Sequence, residues 1–265
     1  MEEKDSFDRA LEKLILRRQR ILDGKINCIP LSFPRLRVWL PGIEKRRYNI
    51  ITANQKVGKS KLADYMLVYE PFFYAIEHPD QLRLKILYFI LEMGKEEKFY
   101  EFLCHLLFRL DRIRISPTDL KSTSADRPVP QEILDLLASE RYQVYIQKFK
   151  ETIIYIDSER NPTGINKYCR NFALSRGKFH FKKVIMKNEA GLEEERDVID
   201  YYEPDDKDEY VEIILDNYSN LMQESGMNKM QTIEKMSKYF ITQRDQFDFN
   251  ITAIQHQAQA QEGIE

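Results

Sequence analysis

Tyr48-Asn49-Ile50-Ile51-Thr52-Ala53-Asn54-Gln55-Lys56-Val57-Gly58-Lys59-Ser60 is an apolar run that breaks into a polar loop and ends in Gly-Lys-Ser. The run has the length of a strand, and Leu62, Met66 and Leu67 beyond it recur at helical spacing. A strand, a loop and a helix start in that order turn successive backbone N–H groups and the positive end of a helix toward one point, which suits a phosphate. Lys59 then reaches the terminal phosphates of a nucleoside triphosphate and the Ser60 hydroxyl ligates Mg²⁺. The expected cradle is Ala53, Asn54, Gln55, Lys56, Val57, Gly58, Lys59, Ser60 and Lys61. The pattern G-x-x-x-x-G-K-[ST] wants glycine first, and Ala53 stands there instead. Alanine keeps the tight turn only if its φ stays negative.

The rest of the chain must supply a sheet for that strand. With 265 residues there is room for one large α/β domain with a real core. The charge is nearly balanced, 41 Lys and Arg against 43 Asp and Glu, so no global basic field advertises nucleic acid and any such surface has to be local. Cys28, Cys104 and Cys169 are odd in number and lack C-x-x-C spacing, which fits reduced cytosolic thiols and no metal cage. No basic leader precedes an apolar core and no eighteen apolar residues run together, so a cytoplasmic protein without a membrane partner is expected.

Upstream, residues 6–23 set Phe7, Leu11, Leu14, Ile15, Ile21 and Leu22 among charges at a roughly helical period that ends before Gly24. This amphipathic arm either folds back on its own domain or lies on a neighbouring subunit, and periodicity does not choose. Ile29 to Pro34 is a proline-marked connector, so residues 1–34 read as arm and connector and 35–265 as one nucleotide-binding domain.

Downstream, Lys85–Met93 is a continuous apolar run of strand length, as buried parallel strands require. Helical spacing follows over 96–110 and 131–149, around a Ser/Thr/Pro/Asp-rich loop at 116–130. Thr152–Asp157 is the next strand and Pro162–Arg176 its helix. Residues 178–209 alternate apolar and polar around an acidic turn at Asn188–Glu195, the pattern of an inserted β-hairpin. Tyr210–Asn217, a helix over roughly 231–246 and Asn250–Ile254 complete a strand–helix alternation, which implies a mainly parallel sheet flanked by helices.

In such a sheet ligands bind beyond the C-terminal strand ends, where Glu92, Asp157, Asp216 and Gln255-His256-Gln257 fall. Asp216 fits a carboxylate that holds Mg²⁺ opposite Ser60. Glu92 fits a base for the attacking water, and Asp157 a structural strand-end acid. One of Gln255, His256 and Gln257 fits a sensor of the γ-phosphate.

In this order the motifs resemble the RecA-like motor domain of the DnaB-like replicative hexameric helicases, phage-type members in particular. Ala53–Ser60 matches that family's Walker A motif, Tyr88–Met93 its strand ending in Leu-Glu-Met, and Ile213–Tyr218 its Walker B, with Asn217 where tyrosine is more usual. The resemblance implies a RecA-like P-loop NTPase fold, ATP and Mg²⁺ as cofactors, Glu92 as catalytic base, Lys59 as phosphate-binding catalytic lysine and His256 as the aligned sensor. It implies single-stranded DNA as partner and a homo-oligomeric, hexameric ring. Two departures stand beside it: the hairpin at 178–209, and a sequence that stops before any counterpart of the family's later DNA-binding loop, final strands and arginine finger. Lys229 is the single lysine of the Gln223–Met230 loop, where the family has its first DNA-contacting loop. The competing expectation is a RecA-like switch, loader or assembly protein that does not unwind DNA; no Arg-rich lid segment supports a small-molecule kinase.

Overall fold

The computed structural model describes residues 6–187 and 193–257. Helix α1 (Ser6–Leu22) leads to a small antiparallel pair, β1 (Cys28–Pro30) with β2 (Gly42–Glu44), bracketing a one-turn helix α2 (Pro34–Arg37). The central sheet takes β3 (Tyr48–Ala53), β4 (Arg83–Ile90), β5 (Ile153–Ile156), β8 (Glu209–Asp216) and β9 (Asn250–His256) in the order β3-β9-β8-β4-β5. Every neighbouring pair is parallel. Between β3 and β4 run α3 (Lys59–Ala63) and α4 (Glu70–Glu77), and between β4 and β5 run α5 (Lys95–Asp111), α6 (Pro117–Leu120), α7 (Gln131–Ala138) and α8 (Glu140–Thr152). Helix α9 (Pro162–Leu174) follows β5, and α10 (Lys229–Phe247) precedes β9.

Helices cover both faces, which is why β4 and β8 are apolar without alternation. Ile86, Tyr88, Ile90 and Ile214 pack under the α3–α5 and α8 side, with Phe72, Phe102 and Phe149 at its centre. Leu87, Phe89, Ile213 and Leu215 face α9 and α10 through Ile165, Met236 and Phe240. The sheet register then aligns the strand ends: Ala53 opposes His256, and Asp216 opposes both Ile90 and Ile254.

Two helices differ from the sequence expectation. The span over 131–149 is broken at Ser139, whose extended backbone (ψ 150°) caps α8 while its hydroxyl donates to Leu136 O at 2.6 Å. Helix α3 widens into a π segment, Asp64–Tyr69, with Glu70 N–H donating to Tyr65 O. Pro71, just inside α4, has no N–H to close an ordinary turn, and the wider turn absorbs that loss.

Residues 178–209 hold β6 (Gly177–Lys187) and β7 (Glu193–Pro204), a two-stranded sheet that stands apart from the central one. Residues 188–192 of the expected acidic turn lie outside the described residues. At its base Phe179 and Tyr202 pack on Phe247 of α10. Helix α1 is tied to the domain by polar contacts, Arg17 to Glu44 at 2.7 Å and Arg20 to Asp208 at 2.9 Å, while Phe7 and Ile15 stay 78% and 68% exposed. No helix among the described residues is long and apolar enough to cross a membrane.

Candidate nucleotide site

Ala53 ends β3, and the loop behind it turns through left-handed backbone at Lys56 (φ 61°) and Gly58 (φ 87°). Ala53 is not among the positive-φ residues, so alanine meets the condition its position sets. The turn that needs special backbone is carried at 56 and 58. Nothing lies within 4 Å of where a Gly58 Cβ would be, so glycine is required there by conformation and not by space. Asn54–Gly58 is exposed, and Lys59 opens the helix with its early N–H groups lacking intrahelical partners. The result is an open shelf. A cavity of about 520 Å³ lies elsewhere, among α1, β7 and the end of α10, and has no part in it.

Lys59 itself is 6% exposed. Its Nζ donates to Asn54 O at 2.9 Å and lies 2.8 Å from His256 Nδ1. Of the Gln255-His256-Gln257 cluster it is His256 whose side chain meets Lys59, while the Gln257 N–H donates to Ala53 O at 3.1 Å. On the other ring edge, His256 Nε2 lies 2.8 Å from Asn217 Nδ2, which also donates to Glu92 Oε2 at 2.7 Å. Glu92 Oε2 is 3.6 Å from the same ring nitrogen.

Asp216 closes β8 and is buried. One carboxylate oxygen, Oδ2, lies 3.3 Å from the Tyr88 hydroxyl and 3.9 Å from Lys98 Nζ. The other, Oδ1, is buried without a hydrogen-bond partner. An orphaned carboxylate oxygen fits a cation or its water shell, since leaving it unpaired carries a desolvation cost. Beneath it, Lys98 Nζ donates to Asp64 Oδ2 at 2.7 Å and to the Tyr88 hydroxyl at 3.1 Å, and Tyr88 is 2.9 Å from Asp64 Oδ1. Burial pushes the Asp64 carboxyl up and the Lys98 ammonium pulls it back down. Burial, with Asp64 and Asp216 beside it, also raises the Tyr88 phenol well above its ordinary value, so it stays a neutral donor.

Two candidates lie apart. Lys61 sends its ammonium to Glu101 on α5, so its side chain does not join the cradle and only its backbone N–H remains there. Asp157 is half exposed and pairs with Lys95 at 2.7 Å, which holds its carboxyl below the usual range. The sequence reading missed Asn217 as a bridge, and Lys98, Tyr88 and Asp64 altogether. Lys98 does carry a signal, since it sits one helical turn before buried Phe102 on the inward stripe of α5.

No protein-family model matches this sequence. No curated protein matches it either. Among solved structures, that of a DnaB-like replicative helicase, described with its interactions with primase, is similar at a TM-score of 0.61 and 15% identity. The match covers 99% of this chain and 51% of that one, so the chain spans about half the length of that helicase. At this identity the likeness is one of fold: the chain is an α/β protein with a parallel five-stranded sheet flanked by helices.

Proposed function

We propose that this chain is the ATP-hydrolysing motor domain of a DnaB-like replicative helicase, moving on single-stranded DNA as a homo-oligomeric ring. The observation that carries it is the meeting of Lys59, His256, Asn217 and Glu92 in one hydrogen-bonded row beside the buried Asp216, at the C-terminal edge of a parallel sheet. In this reading residues 53–61 hold the phosphates, with Lys59 turning from Asn54 O to the β- and γ-oxygens. Ser60 and Asp216 would hold Mg²⁺, which would supply charge neutralisation to the phosphate oxygens. Glu92, half exposed at the mouth of the row, orients the attacking water and accepts its proton, and His256 reads the γ-phosphate.

A second reading, a RecA-like nucleotide switch or loader, draws on one feature. Lys229, where a phosphate contact to DNA is expected, donates instead to the Ser219 carbonyl. The test is ATP hydrolysis by the purified chain with and without single-stranded DNA, beside Lys59→Ala and Glu92→Gln. A DNA-stimulated rate that falls by roughly 10²-fold or more in Glu92→Gln supports the motor. ATP binding that Lys59→Ala removes, with no turnover under either condition, turns the assignment to the switch.

A further inference from the structure

Asn217 occupies a position where the hydrogen-bond arithmetic does not close. Lys59 is a pure donor, and a neutral imidazole has one acceptor nitrogen. With Lys59 Nζ at 2.8 Å, His256 Nδ1 must accept, which leaves Nε2 to carry the proton and donate. The Asn217 atom facing Nε2 at 2.8 Å would then have to be its carbonyl oxygen. That same atom lies 2.7 Å from Glu92 Oε2, where an ionised carboxylate demands a donor. Placing the amide nitrogen there instead satisfies Glu92 but sets two donors, Lys59 and Asn217, on a ring that can accept only once. No assignment satisfies all four groups while Lys59 rests on His256 and Glu92 is ionised.

Removing Lys59 from the ring resolves the conflict. Nδ1 then carries the proton and donates outward, toward the side Lys59 has left. Nε2 accepts from one Asn217 N–H, and the second N–H of the same nitrogen donates to Glu92. The Asn217 NH₂, the ring Nε2 and the Glu92 carboxylate then all have partners. Asn217 is 1% exposed, so water does not substitute for a missing partner at the amide.

We propose that Asn217 is a positioning residue that relays the departure of Lys59 from His256 to the Glu92 carboxylate. A nucleoside triphosphate, by drawing Lys59 to its phosphates and offering an oxygen to His256 Nδ1–H, fixes the direction of the whole row. Glu92 is thereby aligned only when a γ-phosphate is there to be attacked. This rests on the nucleotide-site assignment above and adds to it a residue and a direction of coupling. The Asn217 carbonyl, buried without a partner, is left over in this arrangement, as it is with Lys59 in place.

The test is the ring tautomer of His256, read by ¹⁵N NMR on full-length chain labelled at its 4 histidines and assigned with His256→Gln. Adding Mg²⁺ and a non-hydrolysable ATP analogue is expected to move His256 from the Nε2–H to the Nδ1–H form. Asn217→Leu, close in size but unable to hydrogen-bond, is expected to lower kcat at least about tenfold while ATP affinity stays within about threefold, the split of a group that acts on the chemical step. Saturating analogue with no change of tautomer overturns the relay and leaves the nucleotide site standing. Full turnover in Asn217→Leu overturns it as well. Absence of any analogue binding overturns the nucleotide site itself, and the relay with it. The tautomer readout uses the unaltered protein and needs no turnover, so a misfolded variant does not decide the outcome.

Discussion

Lys98 and Asp64 form a fully buried ion pair, Nζ to Oδ2 at 2.7 Å, directly behind the Asp216 carboxylate. Asp64 comes from the π segment that continues α3 and Lys98 from α5, so the pair joins the two helices that flank the site. Removing one partner strands the other charge in the core. Lys98→Met is expected to destabilise the chain by about 3–5 kcal/mol in urea unfolding. Asp64→Asn with Lys98→Met is expected to lose less than Lys98→Met alone. A double variant as unstable as the sum of both singles would show that the pair does not interact.

Tyr88 reaches from the same cluster to Asp216 Oδ2 at 3.3 Å. Tyr88→Phe is expected to loosen the aim of that carboxylate and to raise the Mg²⁺ needed for half-maximal ATP hydrolysis by roughly fivefold, one hydrogen bond's worth of about 1 kcal/mol. An unchanged Mg²⁺ dependence would place Tyr88 in packing only.

Glu212, mid-strand in β8, is entirely buried and its carboxylate oxygens have no hydrogen-bond partner. Burial pushes its carboxyl from 4.5 up to about 8, with Thr252 and Asn250 pulling weakly the other way. Between those two values the folded chain keeps a proton that the unfolded chain has lost. Stability from this group is therefore full below about pH 4.5 and falls as pH rises toward 8, by about 1.4 kcal/mol per pH unit. Glu212→Gln is expected to flatten that slope and to stabilise the chain most at pH 8; denaturant midpoints at pH 5, 6.5 and 8 read it directly.

Gly42 starts β2 at φ 156°, and a Cβ there would sit 1.8 Å from Ile29 O across the β1–β2 pair. Gly42→Ala forces the lead-in strands apart and is expected to cost roughly 1–3 kcal/mol. Thermal unfolding measures it, and a wild-type Tm would show that the pair contributes nothing to the cooperative unit.

Helix α10 begins with a reciprocal cap: Asn228 Oδ1 accepts from Gln231 N–H and Gln231 Oε1 from Asn228 N–H, each at 2.9 Å. Asn228→Ala removes the acceptor of the Gln231 N–H, leaves that donor to water and is expected to cost about 1 kcal/mol by denaturant unfolding.

The strands were legible because the centres of β4 and β8 are covered by helices on both faces, so Ile86–Ile90 and Ile213–Leu215 are apolar without alternation. The turn from β3 into α3 was legible because an apolar run of strand length breaks at Asn54 and helical spacing follows Gly58. The break at Ser139 was not, since neither Gly nor Pro stands between the two apolar-periodic stretches to mark it. The alternation of β9 could have singled out His256 over Gln255 and Gln257, but only once the strand's phase against β3 was known.

By itself the sequence determined the elements and their kinds: periodicity and local backbone demands act within a few residues, and the chain writes them in plain order. It set Lys59, Ser60, Glu92, Asp216 and His256 each just past a strand or at a helix start. Which of them meet was decided by the tertiary structure. The order β3-β9-β8-β4-β5 puts His256 between Lys59 and Asn217, and Asn217 within 2.7 Å of Glu92, 125 positions away in sequence. The buried pair under Asp216 is likewise invisible until the π segment and α5 are packed together, because a charge survives burial only through a partner that folding delivers.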